Sequence, residues 1–234
     1  MMRLPPFTYL QPASVDEALA LARQHGPEAC YVAGGTDLWP NMKRRQLSPP
    51  VVISLARLAE LRGIEITEEG GLRIGALTTL TELAAAPAVR ERWPVVAEAA
   101  ALISTPPLRN MGTIGGNLLI DTRCTYYDQS YAWRKAIDFC MKKDGKICWV
   151  APSSPRCWAV QSSDEAPVMC AIGARLTFRS PHGGERELEA DALYRDDGIA
   201  HLTKQPLELL THITLPPPRG WRAHYIKLRR RGSF

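Results

Sequence analysis

The chain has 234 residues, 45% of them hydrophobic and 23% charged, a globular composition with room for one large domain or two small ones. The net charge of +5 is mild, and no basic stripe with interleaved aromatic residues follows the chain, which argues against a nucleic-acid partner. The sequence shows neither a signal peptide nor an apolar run long enough to cross a membrane. We therefore expect a cytoplasmic protein whose six cysteines stay reduced.

The first part of the chain carries the signals of a small α/β unit. Ser14 and Glu17 have the spacing of a capping box, which predicts a helix that ends at Gly26. Two short apolar runs, 29–33 and 51–55, predict buried strands on either side of a glycine-rich turn. We therefore expect an α/β subdomain over residues 1–56.

The stretch that follows changes character. Alternating apolar residues around a Glu-Glu-Gly-Gly turn predict a β-hairpin, and Thr79 with Glu82 forms a second capping box. The later predicted elements are, in chain order, a helix from Pro94 to about Ser104 and strands at 174–179, 209–215 and 221–228.

Two glycine loops stand out because glycine allows a close approach of backbone to ligand. The first, 33–38, follows a predicted strand, and the second spans 112–117. Successive amides in such loops can hold a pyrophosphate, although each loop alone also fits an ordinary tight turn. Neither loop matches the Rossmann or P-loop pattern, so we expect a different way of binding a dinucleotide.

Residues 121–161 show neither helical nor strand periodicity. We interpret this stretch as an insertion that folds around a feature of its own, for which a metal centre is the leading candidate. Four of the six cysteines fall here, with 15, 7 and 8 residues between them: Cys124, Cys140, Cys148 and Cys157. Spacing alone leaves open an iron-sulfur cluster, a zinc site without the usual short cysteine pair, and unrelated buried thiols. Cys30 and Cys170 lie outside the insertion and are expected in the core.

The run 107–117 (PLRNMGTIGGN) and the spacing between the two loops resemble the flavin subunits of the xanthine dehydrogenase and carbon monoxide dehydrogenase group. The resemblance covers the whole chain and implies an α+β fold with two FAD-binding subdomains of the PCMH/VAO-like type. The second subdomain, 57–220, would hold an antiparallel sheet and the insertion. The FAD contacts implied are Tyr31, Val32, Ala33, Gly34, Gly35, Thr36, Asp37, Leu38, Ile103, Thr113, Ile114, Gly115, Gly116, Asn117, Thr125 and Lys227.

The insertion resembles that of the beta subunits of 4-hydroxybenzoyl-CoA reductases, through the run 121–130, Trp133-Arg134 and the later cysteines. That resemblance implies that Cys124, Cys140, Cys148 and Cys157 bind a [4Fe-4S] cluster. Basic residues would then offset the thiolate charge and tryptophans would limit water access. These residues are Lys142, Lys143, Lys146, Arg156, Trp149 and Trp158.

The resemblance further implies an oxidoreductase subunit that relays electrons and has no catalytic residue of its own. Its partners would be a molybdenum-cofactor large subunit, a small subunit with two [2Fe-2S] clusters, and a ferredoxin-like donor. The implied reaction is reductive dehydroxylation of 4-hydroxybenzoyl-CoA to benzoyl-CoA on the large subunit. Two alternatives remain: the flavin subunit of another hydroxylase of the group, and a zinc-organised interaction module without enzymatic activity. Flavin subunits of the group continue into a further domain, so residues 221–234 are expected to begin a truncated one.

Overall fold

The computed structural model describes residues 3–220 and 222–229. Its N-terminal part contains a three-stranded parallel sheet in the order β1-β3-β2. The central strand of this sheet is buried at all four residues. The elements are β1 (Thr8–Leu10), α1 (Val15–His25), β2 (Ala29–Val32), α2 (Leu38–Lys43) and β3 (Val51–Ser54).

Helix α1 forms where its sequence predicts it. Ser14 is the N-cap, and its side chain accepts a hydrogen bond from the amide of Glu17 at 3.1 Å. The Glu17 carboxylate accepts from the amide of Ala13 at 2.7 Å, one residue earlier than a capping box requires. Gly26 ends the helix at φ 55°, and the buried face of α1 packs against β3. This packing holds β2 and the first glycine loop at the edge of the parallel sheet.

The rest of the described chain is organised on an antiparallel sheet in the order β4-β5-β8-β6-β7. The predicted hairpin is confirmed as the pair β4 and β5, and the predicted strands at 174–179 and 209–215 are confirmed as β6 and β8. The strands are β4 (Ile64–Ile66), β5 (Leu72–Gly75), β6 (Arg175–Arg179), β7 (Glu185–Glu189) and β8 (Leu209–Leu215).

Short helices cover one face of this sheet and bury the main hydrophobic core against it. Thr79 and Glu82 form the predicted capping box, and Pro94 opens the predicted helix. The helices between β5 and β6 in the chain are α3 (Leu80–Ala85), α4 (Pro87–Arg92), α5 (Pro94–Leu102), α6 (Pro106–Arg109), α7 (Ile114–Leu118), α8 (Tyr131–Ala136) and α9 (Glu165–Ile172). The longest helix in the described part is α1 with 11 residues, and none there has the length and apolar character needed to cross a membrane.

One prediction is wrong, and two elements were not predicted. The strand predicted at 221–228 does not form over the described residues 222–228, where Ile226 and Leu228 are exposed despite the alternating pattern. Residues 221 and 230–234 of the expected C-terminal segment lie outside the described part. Strand β7 escaped prediction because it is a charged edge strand with a single apolar residue, Leu188. The insertion contains one regular element, helix α8, capped by Ser130.

Candidate functional site

The two glycine loops meet at one point. Gly34, in the first loop, lies so close to the second that a β-carbon on it would overlap the carbonyl group of Met111. A β-carbon on Gly115, in the second loop, would lie 2.8 Å from Ala76. The close approach of neighbouring backbone therefore requires glycine at both positions, and loops distant in sequence form one wall.

The backbone donors of the two loops differ. In the first loop, the N–H groups of Gly34, Gly35 and Thr36 donate to no acceptor in the part of the chain that is described. In the second loop, the N–H groups of residues 114–117 already donate within the protein, that of Gly116 to Oγ1 of Thr113 at 3.1 Å. Phosphate groups bind where several free amides face one concavity. The first loop has such donors, whereas the second supplies close packing and a fixed shape.

A cleft of about 650 Å³ lies between the parallel sheet and strand β8 and has the size of a cofactor site. Three of the predicted FAD contacts lie outside its lining: Ile114 is buried in the core, Thr125 is exposed, and Lys227 Nζ lies 2.7 Å from Asp164. The predicted contacts that do line the cleft are Tyr31, Val32, Ala33, Gly34, Gly35, Thr36, Asp37, Leu38, Ile103, Thr113, Gly115, Gly116 and Asn117.

Sequence reasoning missed several residues of the cleft. Three cationic side chains that were not predicted as flavin contacts, Arg44, Arg123 and Lys204, reach its lining. Cys30, expected in the core, also lines the cleft. Arg44 belongs to a basic run that is visible in the sequence, but nothing local marks Lys204, which the chain brings back from far beyond the loops.

The cleft disfavours unpaired charge. Burial raises the pKa of the Asp37 carboxyl, and the guanidinium of Arg123, 2.6 Å away, opposes that shift. Burial also lowers the pKa of the Lys204 ammonium and raises that of the Cys30 thiol. An anionic ligand that binds beside a cation in this cleft stabilises the charged form of that cation. The combination of free amides and basic side chains suits a diphosphate.

All four cysteines of the insertion line one small cavity. Cys140, Cys148 and Cys157 are buried, Cys124 is partly exposed, and none of them forms a disulfide. Trp149 also lines this cavity, whereas Trp158 is 46% exposed and stacks on a guanidinium outside it. The insertion thus brings together every cysteine that the resemblance assigns to a cluster, and this group of four is called the cysteine cavity below.

The cysteine cavity lacks the tight arrangement of a single-ion site. Nowhere in the described residues do three or more His, Cys, Asp or Glu side chains surround one metal-ion position. Four thiolates around zinc would stand about 3.8 Å apart, given a Zn–S bond of about 2.3 Å. A [4Fe-4S] cubane binds each cysteine through a different iron atom and holds the sulfurs farther apart.

Backbone groups around the cavity suit thiolate ligands. Burial opposes ionisation of Cys148, but hydrogen bonds from the amides of Ala151, Trp158 and Val150 outweigh it and hold the pKa of this thiol below its ordinary value. A glycine packs against another of the sulfurs, since a β-carbon on Gly198 would lie 2.6 Å from Sγ of Cys157. Amide donors stabilise thiolate ligands, and closely packed backbone encloses them.

Backbone strain concentrates at the two sites. Of the six non-glycine residues with positive φ in the described part, two line the cleft, Ser104 and Leu207, and three flank Cys140. The latter are Asp138 at 59°, Phe139 at 57° and Asp144 at 69°. Such conformations are unfavourable for side chains with a β-carbon and persist where the surroundings enforce them, commonly at functional sites.

The cleft and the cysteine cavity meet between two consecutive residues. Arg123 lines the cleft and Cys124 lines the cysteine cavity. Two backbone hydrogen bonds with Val160, of 2.8 and 2.9 Å, fix Arg123 at this junction. Because consecutive α-carbons are about 3.8 Å apart, a single peptide unit separates the walls of the two sites.

This fold and cleft are those of a flavin-binding domain. The family model for the FAD-binding domain of molybdopterin dehydrogenases matches residues 5–218, and the chain belongs to this family. The expected α+β flavin-subunit fold is thereby confirmed, and FAD is the ligand of the family's domain.

Relatives support the same class. The chain is 36% identical over 236 residues to the aldehyde oxidoreductase FAD-binding subunit PaoB of Escherichia coli, covering 97% of this chain and 74% of that protein. It is 31% identical over 227 residues to the carbon monoxide dehydrogenase medium chain of Afipia carboxidovorans, covering 96% of this chain and 64% of the relative. The solved carbon monoxide dehydrogenase of Hydrogenophaga pseudoflava superposes with a TM-score of 0.74 at 30% identity, over 99% of this chain and 67% of that one.

Proposed function

We propose that this chain is the electron-transfer subunit of a molybdenum hydroxylase-family oxidoreductase and carries FAD together with one [4Fe-4S] cluster. The observation that carries the proposal is the junction at residues 123 and 124. A flavin cleft and a cavity lined by four thiols share it, which is the arrangement that an electron relay between two cofactors requires.

The FAD would bind with its diphosphate at the first glycine loop. The free amides of Gly34, Gly35 and Thr36 and the cations Arg44 and Arg123 are the donors available there. The second loop would shape the opposite wall through Thr113 to Asn117. Ile114, Thr125 and Lys227 stay predictions as further flavin contacts.

The cluster would be held by Cys124, Cys140, Cys148 and Cys157. Support comes from their convergence on one cavity and from the amide of Ala159, which donates to Sγ of Cys157 at 3.4 Å. An iron-sulfur cluster beside FAD supplies single-electron steps next to a carrier of two electrons. This chain contributes position, burial and charge, and no acid-base group is assigned to the chemistry.

The partners proposed are a molybdenum-cofactor large subunit, a small subunit with two [2Fe-2S] clusters and a ferredoxin-like donor. The resemblance of the insertion favours reductive dehydroxylation of 4-hydroxybenzoyl-CoA, a step of anaerobic aromatic degradation. The 36% identity to an aldehyde oxidoreductase subunit over 97% of the chain favours aldehyde oxidation as the second candidate. Turnover of the assembled enzyme with 4-hydroxybenzoyl-CoA and with an aldehyde separates the two.

The cofactor proposal is tested on the purified chain kept free of oxygen. We expect flavin absorption bands, about four iron atoms per chain, and an EPR signal on reduction. Cys140→Ser should lose the iron and keep the FAD. The matched control is Cys170→Ser, because Cys170 packs against the core outside the insertion and should change neither cofactor.

Two results would contradict the proposal. A colourless protein with one zinc ion per chain would establish the zinc-organised alternative. A Cys140→Ser variant that keeps its full iron content would remove this cysteine from the ligand set.

A further inference from the structure

Two buried cations flank the cysteine cavity, and the other basic residues of the insertion do not share their position. The Lys142 side chain is 6% exposed and lines the cavity, and the Arg134 side chain is 1% exposed. Lys146 is exposed, and Lys143 is 40% exposed. Long charged side chains are almost never fully buried unless something compensates their charge.

Lys142 holds its ammonium beside one of the cysteines of the cavity. Its ammonium donates to Asp121 at 2.8 Å, to Oγ1 of Thr122 at 2.7 Å and to the carbonyl of Gly198 at 2.7 Å. It also lies 5.0 Å from the centre of the Tyr127 ring, which lines the cavity. Gly198 is also the glycine that packs against Sγ of Cys157, so its hydrogen bond holds the ammonium of Lys142 on the side of this thiol. Three hydrogen bonds fix this orientation whether or not a cluster is bound.

Arg134 is buried without adequate partners. None of its three guanidinium nitrogens has a hydrogen-bond acceptor in the described structure, and the nearest carboxylate, Asp144, is 3.9 Å away. The guanidinium lies 5.9 Å from the ring of Phe139, and Phe139 and Asp144 flank Cys140. An uncompensated charge in such a place is strongly destabilising, so the site is complete only with an anion nearby.

We propose that Lys142 and Arg134 are the built-in counter-ions of the cluster and raise its reduction potential. The inference rests on the proposed [4Fe-4S] cluster and assigns the two residues a role toward it. Four thiolates make the cluster anionic, and reduction adds one more negative charge. A fixed positive charge nearby stabilises the reduced state more than the oxidised state, and the effect is strong where water is excluded.

Lys142 is tested by a redox titration followed by EPR on the FAD-loaded chain. We expect Lys142→Met to decrease the ratio of reduced to oxidised cluster at a fixed potential about tenfold, which is about 59 mV for one electron. Lys142→Arg keeps the charge and should retain most of the original potential. Lys146→Met, an exposed lysine of the same insertion, is the matched control and should leave the potential unchanged.

Arg134 is tested by Arg134→Met, with Lys135→Met as the control on the exposed face of the same helix. We expect the reduction potential of the cluster to decrease in Arg134→Met and to stay unchanged in the control. The iron-free proteins give a second readout. Without the cluster, the buried guanidinium has no anion, so limited proteolysis within 121–161 should be about tenfold slower in iron-free Arg134→Met than in the iron-free parent.

The outcomes separate this inference from the cofactor proposal. Absence of iron from the parent chain overturns the cluster itself. The role of the two cations is overturned if Lys142→Met and Arg134→Met both keep their full iron content and the reduction potential of the parent. The cluster assignment then stands. If Lys142→Met does not retain iron, the reduction potentials of Lys142→Arg and Arg134→Met decide whether the two cations act on the cluster.

Discussion

The guanidinium of Arg123 lies 2.6 Å from the carboxylate of Asp37, so the residue before the first insertion cysteine is joined to the end of the first glycine loop. Both side chains line the flavin cleft. The insertion is therefore tied to the cleft by an ion pair as well as by the chain itself. The pair is partly exposed, and its direct contribution to folding is expected to be below about 1 kcal/mol.

Removing Arg123 should weaken FAD binding. In Arg123→Met the Asp37 carboxylate loses its counter-ion and repels the flavin diphosphate. We expect the Kd for FAD to rise about tenfold, equivalent to about 1.4 kcal/mol, measured by titrating the flavin-free chain and following flavin fluorescence.

The charge argument is checked by a double-variant cycle. Asp37→Asn combined with Arg123→Met removes both charges and should recover most of the lost affinity. Arg156→Met is the control, because Arg156 pairs with Asp196 away from the cleft. If the double variant binds FAD as weakly as Arg123→Met, repulsion by Asp37 is not the cause.

Gly34→Ala should lose FAD and keep the cluster. The new β-carbon would overlap the carbonyl of Met111, so the two loops must separate. Overpacking of this kind destabilises by about 1–3 kcal/mol, and here it deforms the wall that carries the free amides. Flavin content and iron content are measured on the same sample. Gly116→Ala, whose β-carbon meets only Oγ1 of Thr113 at 3.0 Å, should retain more flavin.

Gly198→Ala should have the opposite effect, losing the cluster and keeping FAD. Its β-carbon would lie 2.6 Å from Sγ of Cys157 and 2.7 Å from the amide of Ala159. The sulfur cannot then hold its position in the cavity. Equal loss of iron and flavin in this variant and in Gly34→Ala would show that the two sites do not fold separately.

Local signals predicted much of the fold. The caps at Ser14 and Thr79 and the proline at position 94 begin helices where the sequence indicates, because capping and proline preferences act within one turn. The alternating pattern at 222–228 did not form a strand. Alternation fixes which face a strand would bury but not whether a neighbouring strand is there to pair with it.

Only part of the candidate site could be predicted from the sequence, for a related reason. The glycine loops are visible because clustered glycines stand out in a sequence, although the contacts that require Gly34 and Gly115 are made with distant backbone. Lys204 and Gly198 reach the two sites through the tertiary fold and leave no local pattern. The spacing of the four cysteines left a cluster, zinc and unrelated thiols open, and the resemblance of the insertion selected the cluster. Their convergence on one cavity depends on the turns around Cys140, where three residues with β-carbons take left-handed conformations. Aspartate adopts this region more readily than most residues, but Phe139 does so without any local preference.

Glu165 gives a prediction about pH and stability. This residue begins helix α9 fully buried, and neither carboxyl oxygen has a hydrogen-bond partner in the described structure. Burial, and secondarily the charge of Asp164, raises the pKa of the Glu165 carboxyl well above its ordinary value. The carboxyl therefore keeps its proton to a higher pH in the folded chain than in the unfolded chain. Stability is lost as the pH rises from the unfolded pKa toward the folded one.

Glu165→Gln should remove this loss. We expect the FAD-loaded variant to unfold a few degrees above the parent at about pH 8, and close to the parent's temperature at about pH 4, where Glu165 is mostly protonated in both states of the parent. Thermal unfolding followed by circular dichroism measures the difference. Glu91→Gln, on the exposed face of helix α4, is the control and should show no such trend. A stability gap between Glu165→Gln and the parent that is the same at both pH values would mean that the effect comes from packing and not from ionisation.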